Sequence, residues 1–135
     1  MRSERELIAH YSVTELHQWI EEVFTGRAGY PSALDRLLAS FSDAFSMVTM
    51  KGQPVGLSEV ESLFRNNTGI RPDLRIETDA CETLGQTETS VTCRYRETHH
   101  EQGTTHVRWS VAIIEFESGQ PRWRYLQETA VAESL

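Results

Sequence analysis

The stretch Thr87–Val131, TETSVTCRYRETHHEQGTTHVRWSVAIIEFESGQPRWRYLQETAV, decides the fold of this chain. It reads as a long strand from Thr87 to His99, a turn, a second long strand from Thr105 to Glu117, a Gly-containing turn, and a third strand from Arg122 to Val131. β-Branched and aromatic residues recur at every second position, and clusters of turn residues interrupt them. Three strands of this length need a cover on one face, and the residues before them supply it.

Working outward, the segment after Pro72 extends the sheet by one more strand. Upstream lie three helices, each opened by a Ser with an acidic residue three positions on: Ser12 with Glu15, Ser32 with Asp35, and Ser58 with Glu61. In that box the hydroxyl caps a first-turn amide while the carboxylate reaches back. The first helix places Leu16, Trp19, Ile20, Val23 and Phe24 on one face and stops at Gly26; Leu7, Ile8 and Tyr11 extend it upstream. The second carries Leu34, Leu37, Leu38 and Phe41; the third runs from about Leu57 to Asn67, with Val60, Leu63 and Phe64 inward. Between them, Phe45–Met50 and Gln53–Val55 form a small edge hairpin, where Pro54 is tolerable. The order is helix, helix, hairpin, helix and a four-stranded meander, an α+β pattern in one domain over residues 1–135 with its core at about 12–131.

The faces of the sheet follow from the turns. With a tip at Gly85-Gln86, Ile76 lies opposite Tyr95; with a turn centred on Gln102, Tyr95 lies opposite Trp109. The core face is then Leu74, Ile76, Ala80, Val91, Cys93, Tyr95, Val107, Trp109, Val111 and Ile113. The other face gathers Arg75, Arg96 and Arg108 in one row, with Glu77 opposite Arg94. In the last strand either Leu126, Glu128 and Ala130 or Trp123, Tyr125 and Val131 point inward, because the turn before it does not fix its register; we favour Leu126 and Glu128.

Composition bounds function. At 135 residues, 39% hydrophobic and net charge -7, the chain suits one core and repels polyphosphate, so neither a nucleic-acid nor an anionic-membrane partner is expected. No apolar run is long enough for a membrane span, and MRSERELIAH lacks the apolar core of a secretory signal, so a cytoplasmic location is expected. Cys81 and Cys93 stand without a CxxC or Cys/His cluster, on opposite faces in the register above, and read as reduced thiols. His99, His100 and His106 flank one turn with Glu101 between them, but a tip is a poor frame for a metal, and no metal site is expected. His10 and His17 read as solvent-facing on the first helix. The eight glycines mark turns and caps, so no phosphate-binding cofactor loop is present and no cofactor is expected.

A long first helix, two shorter ones and a curved meander resemble the cystatin-like cone of the nuclear transport factor 2-like superfamily, with its SnoaL-like and ketosteroid-isomerase-like members. Phe45–Val55 (FSMVTMKGQPV), Tyr95-Arg96-Glu97 and Trp123–Thr129 (WRYLQET) resemble the group named domain of unknown function 4440. The resemblance implies a strongly bent antiparallel sheet wrapped by three N-terminal helices around an internal cavity. It also implies a small apolar or aromatic ligand, held by Trp19, Phe41, Phe45, Met47, Phe64, Tyr95 and Trp109. For an enzyme of the SnoaL or ketosteroid-isomerase type, Glu97 or Glu128 would be the base and Tyr95 the hydrogen-bond donor; many related sequences carry His where this chain has Gln127. A homodimer through the sheet surface and a purely structural dimerisation unit complete the alternatives.

Overall fold

The computed structural model describes residues 2–132. The elements are α1 (Glu4–Thr25), α2 (Tyr30–Ala39), β1 (Phe41–Val48), β2 (Pro54–Gly56), α3 (Leu57–Asn66), β3 (Arg75–Gln86), β4 (Ser90–Glu101), β5 (Thr104–Glu117) and β6 (Gln120–Ala130). They build one six-stranded sheet in the order β2-β1-β6-β5-β4-β3, open at both edges, with the helices on its inner face. The expected α+β order holds. The expected antiparallel sheet needs one correction, because β1 runs parallel to β6. The connection from β1 to β6 passes through all the intervening elements, which is what allows a parallel pair.

α1 begins earlier than the Ser12 box. Its cap is Ser3, whose hydroxyl accepts the Glu6 amide while the Glu6 carboxylate accepts the Ser3 amide. Ser12 is instead mid-helix and buried, its hydroxyl accepting the Trp123 indole N–H at 2.7 Å. Ala9, Val13, Leu16 and Val23 form the buried stripe of α1, and Gly26 ends it in the left-handed conformation at φ 70°. α3 is likewise capped differently: the Glu59 carboxylate accepts the Gly56 amide at 2.9 Å. Phe41, expected at the end of α2, opens β1.

Sheet register carries the larger corrections. Gln102 and Gly103 both adopt positive φ, 49° and 80°, so β4 and β5 are joined by a two-residue turn closed by the pair Glu101 and Thr104. This is the type I′ geometry that matches strand twist. Centring the turn on Gln102 alone shifts the ladder by one residue, and one residue inverts a face. Tyr95 therefore lies opposite Ser110, not Trp109, and the buried side of β5 is Ser110, Ala112 and Ile114. Trp109, Val111, Ile113 and Val107 belong to the outer face. Between β3 and β4, Ile76 pairs with His99, four residues from the expected partner Tyr95, an even displacement that keeps Ile76 on the inner face. A bulge follows at Ala80, where φ is 54°, and returns Cys81 and Thr83 inward. Cys81 and Cys93 thus share the inner face, against the expectation of opposite faces. The row of three arginines does not form either: Arg75 pairs with Glu77, Arg96 with Asp79, and Arg108 turns inward, while Arg94, expected opposite Glu77, pairs with Glu82.

In β6 a second register shift, between Ile113 and Ile114, removes the choice left by the sequence. Trp123, Leu126 and Glu128 all face inward, because Arg124 is bulged out between Trp123 and Tyr125. Trp123 and Tyr95 are both fully buried.

Candidate functional site

A cavity of about 580 Å³ opens between α1, α3 and the inner face of the sheet. Its walls are apolar, with Ile20 and Phe24 from α1, Phe41, Phe45 and Met47 from β1, and Phe64 from α3. Phe41 and Phe45 meet at 4.6 Å between ring centroids with their planes tilted by 51°, and Phe24 lies 5.5 Å from Phe64. At the sheet end the lining becomes polar, with His17, Glu97, His99, Arg108 and Glu128.

Strand alternation brings those residues together. Tyr95, Glu97 and His99 are successive inward residues of β4; Arg108 lies directly opposite Glu97 on β5, and Glu128 points inward one strand further on. His17 descends from α1. It sits one helical turn after Val13 on the same stripe as Val13, Leu16 and Ile20, so the expectation of a solvent-facing His17 is corrected: it is 4% exposed. The apolar spacing 13, 16, 17, 20 was the available signal. His10 is half-buried, its Nε2 2.9 Å from Thr83 Oγ1.

Hydrogen bonding fixes the charge of His17. Its Nδ1 faces the Val13 carbonyl at 2.7 Å, and its Nε2 faces Glu97 Oε1 at 3.1 Å. Both partners accept, so both ring nitrogens carry hydrogen and His17 is an imidazolium. Burial alone would lower its pKa; the facing carboxylate outweighs burial and holds it above the ordinary histidine value. Glu97 is 3% exposed. Burial alone would raise its pKa, but the His17 charge and hydrogen bonds from His17 and His99 Nε2 hold it well below the usual carboxylate range. Glu128 behaves oppositely. Burial is the largest influence and lifts its carboxyl, with Glu97 adding to the effect and the Arg108 contact at 3.1 Å opposing it.

Tyr95 and the tryptophans are placed differently from the expected cavity lining. Tyr95 packs behind the site, edge-on to His17 and Trp123, with its hydroxyl 3.5 Å from His17 Nε2. Burial, then Glu97 and Glu128, raise its phenol well above the usual value, so it stays neutral, and toward the His17 Nε2–H its oxygen can only accept. Trp19 is half-buried against the core outside the cavity wall. Trp109 lies on the outer face between the Arg94 and Arg96 guanidiniums, at 5.5 and 5.6 Å, a consequence of the corrected register. His100 is turned away toward Glu77 and His106 is exposed, so the three histidines of that tip do not converge. Among the described residues no group of three or more His, Cys, Asp or Glu side chains is arranged to hold a metal.

An open, bent sheet with three helices on its inner face and a pocket between them defines the cystatin-like class. Within that class, the chain is 33% identical to an NTF2-like protein of unknown function from Pseudomonas aeruginosa, over 93% of this chain and 99% of that one, with a TM-score of 0.86. The chain belongs to the nuclear transport factor 2-like family. The same fold recurs in a ketosteroid isomerase-like protein from Erwinia carotovora atroseptica, at 8% identity, TM-score 0.70, and 97% and 99% coverage. A protein of unknown function with a cystatin-like fold from Nostoc punctiforme matches at 12% identity, TM-score 0.68, and 92% coverage of each chain. These two likenesses concern the fold alone. No family model matches the chain, and no curated protein does.

Proposed function

We propose that this chain is a small-molecule-binding domain whose ligand is apolar or aromatic and occupies the cavity between α1, α3 and the sheet. The observation that carries the reading is the pairing of aromatic walls with a few convergent polar groups in a space of about 580 Å³. Ligand sites have that size and composition. A ligand bound only by the folded chain raises Tm, by about 2.7 kcal/mol of added stability at a hundredfold excess over Kd. Screening mono- and bicyclic aromatic compounds by Tm tests this. Compounds that raise Tm of the wild type should lose their effect on Ile20→Trp, which fills the cavity from α1; no shift in the wild type, or shifts retained by the variant, would sink the reading.

An enzyme of the SnoaL or ketosteroid-isomerase type is favoured by one observation, the lifted carboxyl of Glu128 on the cavity wall. Of the two carboxylates, Glu128 is the better proton carrier, since Glu97 is held ionised by two histidines. Tyr95 would act through His17 and not on the ligand. Glu128→Gln would then keep ligand affinity and lose turnover by orders of magnitude, whereas equal turnover would exclude this role.

Three narrower readings belong to the same proposal. Kinship with the domain of unknown function 4440 group rests on WRYLQET at Trp123–Thr129, which supplies both a core tryptophan and a cavity carboxylate. A cytoplasmic location rests on the charge and the free thiols; no described helix is long and apolar enough to cross a membrane. A homodimer, or a role as a dimerisation unit alone, would use the outer sheet face around Trp109, Tyr125 and Val111, and light scattering of the purified chain distinguishes one copy from two.

A further inference from the structure

We infer that the ligand carries an acidic head: the cavity is built for an aromatic or aliphatic carboxylate, with its body among the phenylalanines and its anionic oxygens at the Arg108 end. This deepens the proposed binding function and rests on it. The first observation is charge. The chain is net -7, yet the cavity is lined by four cations, Lys51, Arg71, Arg108 and the imidazolium of His17, against the two carboxylates Glu97 and Glu128. Arg71 is already engaged by Glu101 at 2.9 Å, and Glu128 by Arg108 at 3.1 Å, so the cations left to a ligand are Lys51 at the rim and the unused edge of Arg108.

The second observation is independent of charge. His99 is 5% exposed and its Nε2 is spent on Glu97, while its Nδ1 is buried without a partner. Arg108 Nε is buried without a partner as well. A buried donor without a partner is costly, and of these two nitrogens only Arg108 Nε is a donor in every protonation state, so it sets the requirement on a ligand. The Nε–H of Arg108 can only donate, which requires an acceptor oxygen, and a carboxylate offers two oxygens in a plane that fits a guanidinium. The remaining wall is apolar, so a fully polar anion would leave it wet. An amphipathic acid satisfies both halves.

Isothermal titration calorimetry with 2-naphthoate and with 2-naphthylmethanol, which share a ring system and differ in head charge, tests this. The expected result is at least tenfold tighter binding of 2-naphthoate, reduced toward parity in Arg108→Gln and weakened in Lys51→Gln, with Arg94→Gln on the outer face unchanged. Lys51 is exposed at the rim, so that variant keeps a readout should Arg108→Gln fail to fold. Equal or tighter binding of the alcohol overturns the acidic head and leaves the binding function standing. A preference for 2-naphthoate that neither variant alters places the anion elsewhere and overturns the inference. If neither compound binds, the inference falls together with the reading beneath it.

Discussion

At Ser12 a hydroxyl that caps nothing accepts the buried indole N–H of Trp123 at 2.7 Å, linking α1 to β6 across 111 residues of sequence. Ser12→Ala leaves that indole unsatisfied and should cost about 1–3 kcal/mol, read as a lower urea midpoint. His17 and Glu97 set a pH dependence of opposite signs. The folded pKa of His17 lies above its ordinary value of 6.5, so its contribution is complete below pH 6.5 and is lost as pH rises through the folded value. The folded pKa of Glu97 lies below its ordinary 4.5, so its contribution is present above pH 4.5 and is lost as pH falls through the folded value. The pair thus stabilises most between those two values. Denaturation of the wild type and His17→Gln at pH 6 and pH 9 should show the gap between them narrowing at the higher pH; a constant gap would mean that the imidazolium is not formed.

Among the elements, the end of α1 is held by the loop that follows α3. The Gly69 and Arg71 amides donate to the Val23 and Phe24 carbonyls, each at 2.9 Å, satisfying the last turn. Gly26 makes that approach possible. A Cβ there would stand 2.9 Å from Gly69 Cα, on a backbone at φ 70°. Gly26→Ala therefore combines strain with a backbone clash and should cost more than Gly52→Ala, which carries the strain of φ 76° but whose Cβ meets nothing within 4 Å. Comparing the Tm values of the two alanine variants separates the clash from the shared cost of positive φ. The hairpin turns work by the same backbone freedom: Gln102-Gly103 and Ser118-Gly119 each hold two successive positive φ angles. Each therefore fixes a two-residue count that its sequence, lacking the usual Asn-Gly or Asp-Gly, did not announce.

Across the whole molecule the sheet divides two tryptophans that look alike in sequence. Trp123 is fully buried under α1, and Trp109 lies half-exposed between arginines on the outer face. Trp123→Ala should cost about 3–5 kcal/mol, whereas Trp109→Ala forfeits only cation–π contacts worth about 0.5–1 kcal/mol each at an exposed site. Chemical denaturation of both variants checks the register; comparable losses would return Trp109 to the core.

Read alone, the sequence determined the kinds and order of the elements and the inner face of β4, because apolar periodicity and glycine stops are local signals; in the last strand it favoured Leu126 and Glu128 inward without fixing the register. It also named Phe41, Phe45, Met47 and Phe64, which line the cavity. Tertiary structure decided the faces of β5, the common face of Cys81 and Cys93, and the parallel match of β1 with β6. A turn one residue shorter inverts a strand, and bulges at Ala80 and Arg124 shift register where no residue type declares it. It alone brought His17 to Glu97 across 80 residues of chain, since a charge pair between a helix and a strand has no signature in the spacing of either.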